Sequence, residues 1–131
     1  MSIELTMLVY STALLIVLVL VQTLAGIQGQ GLMPLAGPRD SLPPPKTFHA
    51  RTLRLVDNHR EGLLMFAPLV IVAALSDITN PWTVLGAQLF FYSRVAHAVI
   101  YIAGLPMIRP LAWTVGLVGT LMILLALLGV I

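Results

Sequence analysis

Two groups of polar side chains stand out in a chain that is otherwise strongly apolar. Within each group the residues recur at intervals of three and four, so each group lies on one helical face. The groups are Arg51, Arg54, Asn58 and Glu61, and Arg94, His97 and Tyr101. Arginines suit carboxylates through paired hydrogen bonds, a glutamate suits an ammonium group, and an asparagine both donates and accepts. The two faces therefore predict a site for a small zwitterionic ligand that is rich in carboxylates.

The composition places these polar groups in a membrane. Hydrophobic residues make up 59% of the 131 residues and charged residues only 9%, and the mean hydropathy is +1.00. A soluble domain carries about 25% charged residues, so this chain could not cover its own surface in water. We expect an integral membrane protein with a single domain, residues 1–131.

Four apolar segments, at about 5–27, 47–75, 82–105 and 111–131, are each long enough to cross a bilayer. They predict an all-α membrane protein, an up-down bundle of four transmembrane helices. The proline-rich stretch 28–46 is expected to be a loop without continuous helix. In the second span, the purely apolar part from Gly62 to Leu75 covers only about 21 Å, so part of the polar face must enter the membrane.

Basic residues lie on one side of this topology. Five of them lie between the first two spans or at the start of the second span, and one lies just before the fourth span. They are Arg39, Lys46, Arg51, Arg54, Arg60 and Arg109. The other side has only Glu4 and Asp77 as charged side chains. The positive-inside rule puts the basic loops in the cytoplasm and both termini on the opposite side. Glu4 and the absence of an early Lys or Arg argue against a cleaved signal, so we expect the first span to be retained.

Arg94 lies near the middle of its span, where an isolated charge costs about 2.5–3.5 kcal/mol. We expect it to face protein, with Glu61 as its ion-pair partner. A purely structural role for that pair is the alternative to a binding site. Arg109 at the rim is expected to stabilise a developing anion such as a thiolate, and apolar gaps between helices would admit a lipophilic second substrate.

Several other kinds of site have no support. The chain has no cysteine, which excludes disulfides and thiolate metal sites. His49, His59 and His97 fit no known metal-binding spacing, so no metal site is predicted. The chain has no glycine-rich nucleotide loop and no basic tract, and we expect no nucleic-acid partner.

The two polar faces resemble those of the MAPEG family, the membrane-associated proteins in eicosanoid and glutathione metabolism. The matching motifs are Arg54-x-x-x-Asn58-x-x-Glu61, followed by Phe66 and Pro68, and Arg94-x-x-His97-x-x-x-Tyr101. The chain is most similar in form to bacterial members and to the microsomal glutathione transferases. The resemblance implies a homotrimer of four-helix subunits that binds glutathione, as co-substrate, between neighbouring subunits.

The resemblance also implies roles for single residues. Arg109 and Tyr101 are the predicted catalytic residues. The predicted glutathione-binding residues are Arg51, Arg54, Asn58, Glu61, Arg94, His97 and Tyr101. The implied function is a glutathione-dependent transferase or peroxidase that acts on lipophilic electrophiles or hydroperoxides in a bacterial inner membrane.

Two departures from the family pattern keep an alternative open. Asp57 stands where some members have a basic residue, and Gly62 stands where others have a larger side chain. Both changes are expected to reduce the number of contacts between the protein and a bound ligand. The alternative is a non-enzymatic membrane protein of the same scaffold that binds a lipid or a small anionic ligand.

Overall fold

The computed structural model of the chain describes residues 1–105 and 107–131. Those residues form only helices, and the predicted all-helical class is confirmed. The helices are α1 (Ile3–Gln30), α2 (Leu32–Ala36), α3 (Thr47–Leu75), α4 (Pro81–Ala103) and α5 (Arg109–Leu127). The four long helices fall on the four predicted spans. In the part of the chain described, α1 and α5 are long and apolar enough to cross a membrane.

The connection between α1 and α3 differs from the prediction at its start. A loop was expected from Gln28, but α1 continues to Gln30 and the short α2 follows. Gly31 separates the two helices with a φ of 91°, a conformation that side chains with a Cβ rarely adopt. Pro34 lies in the first turn of α2, where its missing N–H breaks no helical hydrogen bond. Beyond α2 the proline-rich chain is tied back to α1, because the Gln30 side chain donates to the Pro43 carbonyl over 2.7 Å.

The turn at 76–80 makes α3 and α4 antiparallel. Asn80 caps α4 by accepting from the backbone N–H groups of Trp82 and Thr83, and Pro81 occupies the first helical position. At its other end α4 stops at Gly104, which has a left-handed φ of 72°. The first turns of α3 therefore lie beside the last turns of α4, and this brings the two predicted polar faces together.

The apolar half of the bundle is held by aromatic stacking and by close helix contact. The rings of Phe66 and Phe90 are parallel, with centroids 3.9 Å apart, and both side chains are fully buried. The helices α4 and α5 pack along most of their length, and Gly86 faces Gly119 where they cross. A Cβ at Gly86 would lie 2.5 Å from the Gly119 carbonyl oxygen, so a side chain there would force the helices apart.

This contact predicts the effect of adding one methyl group. We expect Gly86→Ala to lower the free energy of unfolding by about 1–3 kcal/mol, the usual cost of overpacking a close contact. Thermal unfolding in detergent measures the change. Gly29→Ala in α1 is the matched control, because a Cβ there meets nothing within 4 Å. Equal melting temperatures for the two variants would contradict the close α4–α5 approach.

Candidate functional site

Side chains from three helices contact one another at Tyr101, at the polar end of the bundle. The Nε of Arg54, on α3, donates to the Tyr101 hydroxyl over 2.8 Å. The guanidinium of Arg109, at the first position of α5, lies over the Tyr101 ring at 5.0 Å from its centroid. A cation over an aromatic face is attracted by the negative charge of the ring face. Arg54 and Arg109 thus lie on different sides of one phenol.

Two cavities adjoin at this point. The rim cavity, of about 430 Å³, is lined by Arg51, Arg54, Tyr101, Gly104, Leu105, Met107, Arg109 and Pro110. The inner cavity, of about 340 Å³, is lined by Arg54, Asn58, His97, Tyr101, Arg109, Pro110 and Trp113. Each has the size of a small-molecule site. Neither lining includes an Asp or a Glu in the ranges described, so the arginines around the cavities face no carboxylate from the lining.

Arg51 is placed at the rim by the end of α4. Its guanidinium packs directly on Gly104, where a Cβ would lie 2.9–3.0 Å from three guanidinium atoms. The C-terminal end of a helix carries partial negative charge on its free carbonyl groups, which favours a cation there. The absence of a side chain at Gly104 therefore leaves room for a positive charge at the mouth of the rim cavity.

Arg94 is buried in the bundle, with 3% of its surface exposed. Its Nη1 donates to the Asn58 side-chain oxygen over 2.5 Å, and its guanidinium lies 5.5 Å from the centre of the Phe90 ring. The guanidinium also occupies the space beside Gly62, where a Cβ would lie 2.7 Å from Nη2. The arginine is thus accommodated by a neutral amide, an aromatic face and a glycine.

The expected Arg94–Glu61 ion pair is wrong. The salt bridge found in the described residues joins Arg60 and Asp57, over 2.7 Å. The reason is helical geometry: Asn58 and Gly62 are 40° apart and both face Arg94, whereas Glu61 is turned about 60° from Asn58, away from Gly62. Glu61 is exposed on the surface of the single chain and lines neither cavity.

The two departures from the family pattern affect the site less than the sequence suggests. The place of the missing side chain at Gly62 is filled by Arg94. Asp57 pairs with Arg60 on the outer surface, where both side chains are more than 60% exposed. Neither Asp57 nor Gly62 is among the described lining residues of the rim cavity or the inner cavity.

The other predicted residues are placed as follows. Arg51, Arg54, Asn58, His97, Tyr101 and Arg109 all border a cavity, and the buried His97 ring lies 5.7 Å from the Tyr101 ring. Arg94 reaches the site only through Asn58, because its Nη1 donates to the Asn58 side-chain oxygen. Sequence reasoning did not assign Trp113 to the site, although it follows Arg109 by one helical turn, shares its face and lines the inner cavity. It also missed Gly104, Leu105, Met107 and Pro110, which carry no chemical signal of their own.

The arrangement suits an anion. Three arginines and a phenol border the two adjoining cavities, and charge-assisted hydrogen bonds from guanidinium groups are among the strongest that proteins form with carboxylates. Arg109 is exposed and lies across the Tyr101 ring, so it can stabilise negative charge that develops in the cavity.

The comparison with known families agrees with this geometry. A model of the MAPEG family matches residues 7–129, a range that contains every residue bordering the two cavities. No curated protein and no solved structure matches the chain. Because the match covers nearly the whole chain, the protein belongs to the MAPEG family.

Proposed function

We propose that this protein is a glutathione-dependent transferase or peroxidase that acts on lipophilic electrophiles or hydroperoxides. The observation that carries the proposal is the pair of adjoining cavities bordered by Arg51, Arg54 and Arg109, with no carboxylate among the described residues of the lining. Membership of the MAPEG family supports a glutathione-related activity in a membrane.

Glutathione has two carboxylates, an ammonium group, two amides and a thiol, and the cavities offer partners for most of these. Arg51 and Arg54 would bind the carboxylates at the rim, through hydrogen bonds to charged groups. Asn58 and His97 would bind the amides in the inner cavity. Arg94 holds the Asn58 side-chain oxygen, so the amide nitrogen of Asn58 is the group left for the ligand.

Arg109 and Tyr101 would act on the sulfur. The guanidinium stabilises the thiolate after the thiol proton leaves for water, and the phenol donates a hydrogen bond to the same charge. In a transfer reaction the sulfur forms a bond to carbon while the leaving group departs with its electron pair. In a peroxidase reaction the sulfur attacks the O–O bond, the alcohol leaves, and a second glutathione reduces the sulfenic acid to water and the disulfide.

The alternative is binding without catalysis. The rim cavity combines its arginines with the apolar side chains of Leu105 and Met107. That combination also suits a lipid with an anionic headgroup, and the described lining of the two cavities includes no Ser, Thr, Cys or Lys that could act as a nucleophile. The two functions differ in whether glutathione is consumed.

We also propose that three copies assemble. In the single chain Arg54, Asp57, Arg60 and Glu61 all lie exposed on α3, and charged side chains in a membrane are expected to face protein or water rather than lipid. A neighbouring subunit would cover this face and would bring Glu61 to the ammonium group of a ligand bound between subunits. Membrane lipid surrounds the remaining apolar surface.

Replacing Arg109 tests the chemistry. We expect Arg109→Ala to lower kcat for conjugation of glutathione to 1-chloro-2,4-dinitrobenzene about 10²–10³-fold, the usual cost of losing one group that stabilises developing charge. Arg54→Ala should instead weaken glutathione binding about 10-fold or more in calorimetry. Arg39→Ala is the control, because Arg39 lies in the α1–α3 connection and borders neither cavity.

Two results would reject the catalytic proposal. One is the absence of glutathione binding at millimolar concentration together with the presence of a bound lipid, which supports the alternative. The other is equal turnover of electrophile or cumene hydroperoxide by Arg109→Ala and Arg39→Ala.

Light scattering of the protein in detergent, corrected for bound detergent, tests the assembly. We expect the protein mass of three chains, the number that the resemblance to the MAPEG family implies. A monomer of 14.2 kDa that retains glutathione turnover would refute the intersubunit site.

Single cysteines test the orientation in the proposed bacterial inner membrane. The chain has no natural cysteine, and Ser41 and Ser76 are exposed at opposite ends of the bundle. In spheroplasts a membrane-impermeant maleimide should label Ser76→Cys but not Ser41→Cys, since the basic connections are expected in the cytoplasm. The reverse pattern would invert the topology.

A further inference from the structure

A third cavity lies at the end of the bundle opposite the arginines. It has a volume of about 190 Å³ and sits between the start of α1, the end of α3 and the turn that follows α3. Its polar lining residues are Ser2, Glu4, Asp77 and Thr79, and the rest of its wall is aliphatic. We call it the acid-lined cavity. It contains no residue of the proposed glutathione site.

The charge in this cavity is negative and is not balanced by a basic side chain. Among the described residues its lining has two carboxylates and no Lys, Arg or His. The salt bridge that the structure shows in residues 1–105 and 107–131 involves neither Glu4 nor Asp77. Glu4 lies in the first turn of α1, where the partial positive charge of the helix N-terminus offsets part of the carboxylate charge.

Glu4 is the buried part of the cavity wall, with 3% of its surface exposed. Its Oε1 accepts hydrogen bonds from the Thr79 and Thr83 hydroxyl groups, each over 2.6 Å. Its Oε2 is buried and has no hydrogen-bond partner. Leaving one oxygen of a buried carboxylate unpaired costs free energy that a bound positive charge would recover.

The available ligands select the kind of cation. Two carboxylates and two hydroxyl groups are hard oxygen ligands, which suit Ca²⁺ and not the metals that prefer nitrogen or sulfur. In the described ranges no three His, Cys, Asp or Glu side chains form a metal-binding group. With only two carboxylates, the site corresponds to the weak end of calcium binding, with a Kd of about 10⁻⁴–10⁻³ M.

We propose that the acid-lined cavity binds a hard cation such as Ca²⁺, with Glu4 and Asp77 as its anionic ligands. The cation joins the start of α1 to the turn between α3 and α4. Binding therefore stabilises the packing of α1 on the rest of the bundle. In the proposed orientation the cavity opens away from the cytoplasm, where millimolar divalent cations are common and weak sites fill.

The test is calorimetric titration of CaCl₂ into the full chain in detergent, after dialysis against a chelator and at constant ionic strength set with NaCl. We expect saturable binding near 10⁻⁴–10⁻³ M and a rise of roughly 3–6 °C in melting temperature at ten times the Kd. Asp77→Asn should weaken Ca²⁺ binding at least 10-fold, and Glu4→Gln should abolish it. Asp40→Asn, in the basic α1–α3 connection, should leave it unchanged.

The proposal is overturned if the unmodified protein shows no saturable binding below about 10 mM CaCl₂. It is also overturned if Asp77→Asn and Asp40→Asn give the same Kd. Because Asp77 is exposed and forms no salt bridge with any residue that the structure describes, its substitution tests the site even if Glu4→Gln fails to fold. The experiment contains no glutathione, so its outcome is independent of the proposed enzymatic function.

Discussion

A guanidinium buried among closely packed helices is the constraint on which the rest of the structure depends. Arg94 lies where an unpaired charge is costly, and its Nη1 donates to a neutral amide rather than to a carboxylate. The space for it comes from Gly62, where a Cβ would lie 2.7 Å from Nη2, and Gly116 on α5 lies beside it, since a Cβ there would make ordinary contact with Nε at 3.6 Å. Three helices, α3, α4 and α5, therefore have to close around one side chain.

The neutral partner has an electrostatic effect on the site. A carboxylate would cancel the charge of Arg94 locally, whereas Asn58 only orients the group. The positive potential of Arg94 adds to that of Arg51, Arg54 and Arg109, and low-dielectric walls concentrate such a field within a cavity. The protein is consequently polarised from end to end, with arginines around two cavities and the carboxylates of Glu4 and Asp77 around the third.

Much of this arrangement could be predicted from the sequence, because it follows from periodicity. The spacing of three and four residues placed Arg54, Asn58, His97 and Tyr101 on facing helices, and composition alone indicated the apolar helices. Periodicity could not show that Arg94 contacts Asn58 rather than Glu61. The polar face of the second span is about 80° wide, and both residues lie on it.

Other features have no signal in a single sequence. The role of Gly62 depends on which neighbour fills its empty space, and that neighbour is 32 positions away in the chain. The acid-lined cavity was missed because Glu4 and Asp77 are joined only by the fold. The prolines suggested that the helix would stop at Gln28, but α1 continues to Gln30 and ends at Gly31. Pro34, the first proline after Gly31, lies in the first turn of α2, where a proline is tolerated.

The close contact of Gly86 with Gly119 has a mechanical consequence for the other end of the molecule. Gly119 lies ten residues from Arg109 on the same helix, a distance of about 15 Å along its axis. The contact can act as a pivot, because the backbones of α4 and α5 approach each other closely there. A small tilt of α5 about this point would displace the Arg109 guanidinium from the Tyr101 ring. The position of the Arg109 guanidinium over the Tyr101 ring thus depends in part on the backbone contact between Gly86 and Gly119, in the apolar half of the bundle.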